Sequence, residues 1–236
     1  MNPTIVRLAV QALLGHRRFW LLLVFPIGLA ALVVLIRVLT GDEVAAWDTL
    51  DGMGPSLVLP LLALIAASSV MGPEVDDGSI VYLLAKPISR HSVALSKYLV
   101  ALAAVLAAGT LPILVVGLVV RPEEPGMSVA LWTSTVVSGI VYTALFLALS
   151  TLTRHAVVFG LLYILIWEGT LGSIFSGIAT LSVAQWGQRV GQEVDAAVSS
   201  SDLALWWALG ASAALAVGAV WFAGDRLRSF SFQGDE

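Results

Sequence analysis

The sequence contains no cysteine, which excludes disulfide bonds, thiolate metal sites and cysteine nucleophiles from this chain. Charged residues are also scarce, at 12% of 236 residues, whereas a soluble globular domain has about 25%. The formal net charge is only −4, and nucleic-acid binding needs a clustered basic face. The composition therefore supports neither a soluble protein nor a nucleic-acid partner.

Catalytic motifs are missing as well. The sequence has no Gly-x-x-x-x-Gly-Lys-[Ser/Thr] phosphate-binding loop, so it carries no nucleotide site of that type. The three histidines, His16, His91 and His155, lie at the edges of apolar runs without metal-ligand spacing, and we expect them at the surface. An intramembrane serine protease would need Ser and His buried together. We therefore expect no catalytic residue, metal or cofactor in this chain.

Apolar residues are abundant, at 58% of the chain, which implies lipid as the solvent because a soluble core of this size could not bury them. A membrane-crossing helix needs about 20 apolar residues, and the runs do not alternate as barrel strands do. We predict an all-α integral membrane protein, a single domain over residues 1–236, with six transmembrane helices. The predicted spans are 19–36, about 54–71, the uncharged stretch between Lys97 and Arg121, about 128–152, the stretch after His155 that includes Glu168, and 203–223.

Three prolines fall in or near these spans, at Pro26, Pro60 and Pro112. Proline removes a backbone donor and clashes with the preceding turn. Membrane helices tolerate such kinks when neighbours satisfy the freed carbonyls. We therefore predict local bends at these positions.

Lysine and arginine positions predict the orientation. Six spans put both termini on one side, together with nine basic residues, and leave three on the other. This bias predicts that both termini are cytoplasmic, and it places an acidic loop with Asp42, Glu43, Asp48 and Asp51 outside. The nine are Arg7, Arg17, Arg18, Lys86, Arg90, Lys97, Arg154, Arg226 and Arg228, and the three are Arg37, Arg121 and Arg189.

Two segments outside the spans have their own patterns. In residues 1–18, polar residues share one helical face, which predicts an amphipathic helix on the inner leaflet; the alternative is a frayed basic anchor. Residues 172–202 form a long extracytoplasmic loop whose apolar part, 174–183, is too short to cross. We predict one or two short re-entrant helices there, before the last span.

The cytoplasmic loop 72–97 is the most informative segment. Asp77 or Ser79 can cap a short helix, an apolar side follows, and Pro87 ends the helix. Ser89 can then cap the helix that becomes the third span. The apolar side consists of Ile80, Val81, Leu83 and Leu84. Such a surface helix suits a handle for a cytosolic partner, while the alternative is an ordinary amphipathic connector.

This loop resembles that of ABC-2 type transporter permeases, in which an acidic residue, a Gly-Thr-like pair, an apolar segment, Pro-[Val/Ile]-Ser-Arg and a lysine follow in order. The matching residues are Glu74, Gly78, Ser79, Pro87, Ser89, Arg90 and Lys97. The N-terminal amphipathic helix, the six-span plan and the Trp167-Glu168 pair extend the resemblance over most of the chain. The departures are the Asp76-Asp77 pair before the glycine and Ser79 where threonine is commoner.

The resemblance implies a permease of the cell membrane that dimerises, with an identical or a different chain, and binds two cytosolic ATPase subunits. ATP and Mg would be bound by those subunits and not by this chain. The loop helix would be a coupling helix received by the ATPase. Its coupling residues would be Glu74, Gly78, Ser79, Leu83, Pro87, Ser89 and Arg90.

Glu168 is the acidic residue placed well inside a predicted span, 14 residues beyond Arg154 and hence about 21 Å along a helix. An ionised carboxylate at the bilayer centre costs about 2.5–3.5 kcal/mol on insertion scales, so it should face protein or a wet cavity. It could contact the transport pathway or form a gating hydrogen bond. The alternative is a structural bond to a helix end or to a neighbouring hydroxyl such as Thr170.

The expected function is export of an unidentified substrate. A second reading is a non-transporting membrane subunit that passes ATPase motion to an extracytoplasmic partner. A third is an ATP-independent secondary transporter or channel, which would favour inverted repeats and several intramembrane polar groups. The sequence shows one such carboxylate and no clear repeat.

Overall fold

The computed structural model describes residues 3–13, 15–76, 89–153, 155–171, 180–196 and 203–229, and all regular structure in these residues is helical. Three π-helical segments interrupt or extend the α-helices, at Gly54–Val58, Leu106–Thr110 and Tyr163–Leu171. The α-helices are α1 (Pro3–Leu13), α2 (His16–Thr40), α3 (Glu43–Met53), α4 (Leu59–Asp76), α5 (Arg90–Val105), α6 (Leu111–Val120), α7 (Pro125–Leu152), α8 (Ala156–Leu162), α9 (Val183–Gly191) and α10 (Leu205–Ser229).

Among the described residues, five helical rods are long and apolar enough to cross a membrane, so the chain is a multi-pass membrane protein. The second rod joins α3 to α4 and the third joins α5 to α6, each through a π-helical segment. The candidate spans are Trp20–Thr40, Glu43–Met71, Arg90–Val120, Pro125–Leu152 and Leu205–Leu227.

The described part of the predicted fifth span is short. This part, α8 with the π-helical segment Tyr163–Leu171, has 16 residues. At the α-helical rise, this length covers about 24 Å, less than the hydrocarbon core of about 30 Å. Among the described residues, the structure thus shows five long candidate spans and one shorter apolar helix, and the sixth span stays a prediction.

Two of the π-helical segments lie beside prolines. Gly54–Val58 contains Pro55 and precedes Pro60, while Leu106–Thr110 precedes Pro112. Because proline lacks an N–H and crowds the carbonyl four residues earlier, a wider turn relieves the clash. Around Pro26, α2 is assigned as α-helix throughout. The helix is therefore irregular next to two of the three prolines.

The expected acidic loop is mostly helix. α2 ends at Gly41 with φ of 68°, and Asp42 caps α3 by accepting hydrogen bonds from the N–H groups of Val44 and Ala45 at 2.9 and 3.1 Å. Asp48 lies on α3, and Asp51 is buried there. The turn between the first two spans is therefore Gly41-Asp42, because a left-handed glycine and an N-cap aspartate reverse the chain at once.

At the N-terminus the structure divides the predicted 1–18 helix. α1 ends at Leu13 and α2 begins at His16, so Gly15 and Arg18 lie beyond α1. α1 buries Ala9 and Leu13, leaves Arg7 exposed, and packs against α4 and α5. α1 is thus amphipathic: Ala9 and Leu13 contact protein, while Leu8 and Val10 remain exposed.

α7 is the central helix of the bundle, in contact with α4, α5, α6, α8, α9 and α10. Its buried positions include hydroxyl residues, and several bond to their own helix: Thr143 donates to the Gly139 carbonyl at 2.6 Å and Ser150 to the Phe146 carbonyl at 2.7 Å. Small side chains let neighbouring helices approach closely. We call the end of the bundle that carries α9 the α9 end, and the end where α4 stops and α5 begins the loop end.

Candidate functional site

Three charged side chains are buried among the described residues: Asp51, Lys97 and Glu168. Lys97 and Glu168 both lie in parts of the chain that the sequence singled out. Lys97 is 1% exposed near the loop end, and Glu168 is 8% exposed near the α9 end. Because a buried charge needs compensating hydrogen bonds, their surroundings are the first place to look for a site.

The Glu168 carboxylate accepts three hydrogen bonds. Tyr163 Oη donates to Oε1 at 3.0 Å, Ser182 Oγ donates to Oε2 at 2.6 Å, and the Val183 N–H donates to Oε1 at 3.0 Å. Ser182 and Val183 are the N-cap and first residue of α9. The carboxylate thus caps the start of α9, where the helix dipole favours negative charge.

The π-helical segment Tyr163–Leu171 explains the pairing of Tyr163 with Glu168. Neighbours on an α-helix are three or four residues apart, whereas these two are five apart. A π-helix closes its hydrogen bonds between residues five apart, which brings such residues onto one face. The irregular helix therefore aims the tyrosine at the carboxylate.

The turn just before α9 is fixed by indole groups. Trp186 and Trp207 both donate from Nε1 to the Thr180 carbonyl, at 2.8 and 3.1 Å. Trp167 donates to the Leu181 carbonyl at 3.4 Å. The Thr180–Ser182 turn is therefore held to α9, to α10 and to the helical segment that carries Glu168.

α9 packs on α7 at very short range. A Cβ atom on Gly187 would lie 2.0 Å from Ser138 Oγ and 2.4 Å from the Ser134 carbonyl oxygen, and one on Gly191 would lie 2.6 Å from the Ala130 carbonyl oxygen. Two glycines four residues apart present a flat helix face. Together with the hydrogen bonds of Glu168, this face fixes α9 on the bundle; we call this arrangement the Glu168 clasp.

The Tyr142 hydroxyl is buried beside the Glu168 carboxylate, on the central helix α7. The Ser134 hydroxyl of the same helix is also buried and has no hydrogen-bond partner among the described residues. A buried polar group without a partner is costly. Ser134 thus leaves hydrogen-bonding capacity near the clasp that another conformation could use.

At the loop end, two basic side chains tie α5 to its neighbours. Lys97 Nζ donates to the Val70 carbonyl of α4 at 3.0 Å, and Arg90 donates to the Leu227 carbonyl of α10 at 3.4 Å. Ser89 is the N-cap residue of α5 and donates from Oγ to Ser92 Oγ at 2.6 Å, without capping the helix backbone. The start of α5 is therefore bound to α4 and α10.

The predicted coupling residues fall into three groups. Ser89 and Arg90 are described and begin α5, whereas Glu74 lies in the last turns of α4. Gly78, Ser79, Leu83 and Pro87 lie outside the described residues. The coupling helix itself therefore stays a prediction, and the structure shows the two helices that flank it.

Sequence reasoning found Glu168 but missed its partners. Two signals were available. Ser182-Val-Ala-Gln185 has the spacing of a capping box, and the Gln185 N–H does donate to Ser182 Oγ at 3.3 Å. Gly187 and Gly191 have the small-xxx-small spacing of close helix contacts. Both lie in the segment 172–202, which the sequence marked as a long extracytoplasmic loop.

Comparison with known proteins gives one family match. A family model described as an ABC-2 family transporter protein matches residues 15–174, about two thirds of the chain. The matched region contains the loop with its flanking residues and Glu168, and it ends before α9. No curated protein matches the chain.

Proposed function

Because this chain belongs to the ABC-2 family of transporter membrane proteins, we propose that it is the permease subunit of an ABC exporter. It would move an unidentified substrate outward with energy from ATP hydrolysed by a separate ATPase subunit. The observation that carries this proposal is the family match across residues 15–174, which includes the loop and both helices tied at its ends. The sequence has no phosphate-binding loop, so the nucleotide site belongs to the partner.

The proposed topology has six spans, with both termini in the cytoplasm. The proposed fifth crossing includes α8 and its π-helical segment, which the Glu168 clasp joins to α9. The charge distribution supports this orientation. The three basic residues on the proposed outer side each form an ion pair with a glutamate: Arg37 with Glu43, Arg121 with Glu124, and Arg189 with Glu193.

The proposed coupling element is the loop 72–97, with Glu74, Gly78, Ser79, Leu83, Pro87, Ser89 and Arg90 as its contact residues. The hydrogen bonds of Lys97 to α4 and of Arg90 to α10 support this role. A force applied to the loop would reach α4, α5 and α10 together, since α5 is bonded to both neighbours. Rigid helices linked in this way can convert closure of an ATPase into movement of the spans.

The transporter would be a dimer of two permease chains, identical or different, working by alternating access. In that cycle we assign Glu168 a gating role. Its carboxylate is buried and fully engaged by three donors, which favours a contact that holds a conformation over direct contact with a substrate. Opening of the transporter would break these bonds and release the start of α9 from the helical segment that carries Glu168.

The test is affinity purification of the full chain in mild detergent with identification of co-purifying proteins. We expect a stoichiometric ABC ATPase. Leu83→Asp in the loop should remove the ATPase, because it places a charge on the apolar side of the proposed coupling helix. Val194→Asp is the matched control, since Val194 is half exposed at the opposite end of the bundle.

Two results would contradict the proposal. A purified complex without an ATPase would favour an ATP-independent transporter. An ATPase that stays bound equally well to the Leu83→Asp variant would remove the loop from the interface. Stimulation of ATP hydrolysis by a transported compound would distinguish an exporter from a subunit that only passes motion to an outer partner.

A further inference from the structure

An apolar groove of about 590 Å³ runs along the surface between α5, α7 and α10. Ligand pockets in proteins commonly have volumes of about 300–1,000 Å³ and are mostly apolar. The groove lies away from the Glu168 clasp, and the coupling role proposed above makes no use of it. Its walls include Leu95 of α5, Val137 of α7, and Leu209, Ala213 and Val217 of α10.

The walls offer almost no hydrogen-bonding groups to an occupant. The Tyr98 hydroxyl already donates to the Ile140 carbonyl at 3.1 Å. The Ser212 hydroxyl lacks a partner among the described residues, but its oxygen is itself buried below the wall surface. A polar substrate would therefore lose its hydration without compensation, whereas a hydrocarbon chain would lose nothing.

The groove has a polar mouth at the loop end only. There His91 stacks on Trp221 with ring centroids 6.1 Å apart. Gly224 permits this approach, because a Cβ atom at that position would lie 2.1 Å from His91 Nδ1. Arg90, the residue before His91 on α5, is partly exposed and donates to the Leu227 carbonyl of α10, beyond the mouth. A cationic and aromatic rim above an apolar channel matches the boundary between lipid headgroups and acyl chains.

The length of the groove fits one leaflet. Along α10 its walls extend from Leu209 to Trp221, which is about 18 Å at the helical rise. Half of a hydrocarbon core of about 30 Å is about 15 Å. From these dimensions we propose that the groove is a binding site for one acyl chain of a phospholipid from the leaflet at the loop end, with its phosphate at Arg90 and His91.

A bound lipid explains the groove better than a second copy of the chain. The groove is concave, whereas a stable protein interface buries about 800 Å² on each partner and needs a matching ridge. The bilayer supplies acyl chains at this surface in any case, because α10 crosses the membrane. The inference does not need the exporter function, since it uses the walls, the mouth and the length, but its phosphate site shares Arg90 with the proposed coupling residues.

The experiment uses the full chain in vesicles of phosphatidylglycerol that carries a photoactivatable diazirine in its acyl chain. After illumination, adducts are mapped by mass spectrometry. We expect several-fold more adducts on the groove residues of α5 and α10 than on the apolar face of α2, where Val24, Ile27 and Val34 are exposed. Phosphatidylcholine with the same acyl chain should label the groove less, because its headgroup has no net negative charge.

Two variants of α10 keep the test falsifiable. Ala213→Phe fills the groove from an exposed position and should lower groove adducts several-fold. Gly218→Phe is the control, because Gly218 is exposed on the same helix and a Cβ atom there meets open space. It should leave the groove adducts unchanged, and adducts on α2 should be unchanged in both variants.

Three outcomes would overturn the proposal. Equal adduct yields on the groove and on α2 would mean that only bulk lipid contacts the groove. Unchanged groove labelling in Ala213→Phe would mean that no chain occupies the channel. Efficient crosslinking between two copies of an Ala213→Cys variant, in a sequence with no other cysteine, would assign the groove to a protein interface.

Discussion

The two buried charges Glu168 and Lys97 are held in different ways. Glu168, at the α9 end, accepts hydrogen bonds from a side chain on its own helix and from the first residues of another helix. Lys97, at the loop end, reaches across to a backbone carbonyl of α4. One charge thus organises a helix start, while the other joins two helices that are already formed.

This difference indicates how each end responds to change. The Glu168 clasp combines three donors, indole contacts and glycine packing, so loss of any part leaves other groups without partners. The Val70 carbonyl also serves its own α-helix, in which it can accept from the N–H four residues later. Substitutions at the α9 end should therefore lower the stability of the protein more. Substitutions at the loop end should instead affect its coupling to the ATPase more.

The largest effect is expected for Gly187→Leu. A Cβ atom there would overlap Ser138 Oγ and the Ser134 carbonyl, so α9 could not keep its position on α7. Overpacking costs about 1–3 kcal/mol and more against backbone, and we expect about 3 kcal/mol or more. The measurement is the temperature at which the detergent-solubilised protein stops eluting as a single species. Gly210→Leu is the control, because Gly210 faces open space.

Next in size is Glu168→Ala. It leaves the Tyr163 and Ser182 hydroxyls and the Val183 N–H without their acceptor, and each unsatisfied group costs about 1–3 kcal/mol. We expect about 3 kcal/mol for Ala but only about 1 kcal/mol for Gln, which keeps one acceptor oxygen and should still fold and dimerise. Equal losses in the thermal assay would show that the clasp does not depend on hydrogen bonding. Loss of transport in Glu168→Gln with normal ATPase assembly would support gating, and unchanged transport would argue against it.

Ser182→Ala should cost about 1 kcal/mol, the usual effect of removing an N-cap hydroxyl. Its hydroxyl both donates to Glu168 and accepts from the Gln185 N–H. The double variant with Glu168→Ala should therefore lose less than the sum of the two single losses. Full additivity in the same thermal assay would mean that the two residues act separately.

The smallest stability change is expected for Lys97→Met, within about 1 kcal/mol, because replacing a buried charge by an apolar side chain of similar size is often near neutral. Substrate-stimulated ATP hydrolysis should fall nonetheless, since the tie between α4 and α5 is lost. A destabilisation larger than that of Glu168→Ala would reverse the comparison between the two ends. Leu95→Met, on the exposed side of α5, is the control.

The sequence predicted most of the architecture because apolar length is a direct signal of membrane spans. Four spans were located closely, and the start of the second was misplaced by the acidic residues. Asp48 and Asp51 suggested a loop, yet the Gly41-Asp42 turn lets α3 begin at once. Acidic residues therefore do not show reliably that a loop is present when an N-cap residue before them has already started a helix.

The site was only half predictable, for a geometric reason. Glu168 is visible in the sequence as a carboxylate within an apolar run, but α-helical spacing does not place Tyr163 beside it. The pairing needs the π-helical segment Tyr163–Leu171, and this segment contains no proline that would indicate it in the sequence. Close packing of Gly187 against Ser138 depends on the tertiary fold and is only hinted at by the glycine spacing.

The glutamate partners of Arg37, Arg121 and Arg189 have a consequence for biogenesis. Each arginine has its glutamate within six residues. On the proposed orientation, these are the segments that must be translocated during synthesis. A neighbouring opposite charge lets each arginine cross as part of a nearly neutral hairpin, so the nascent chain can insert without moving an isolated cation against the membrane potential.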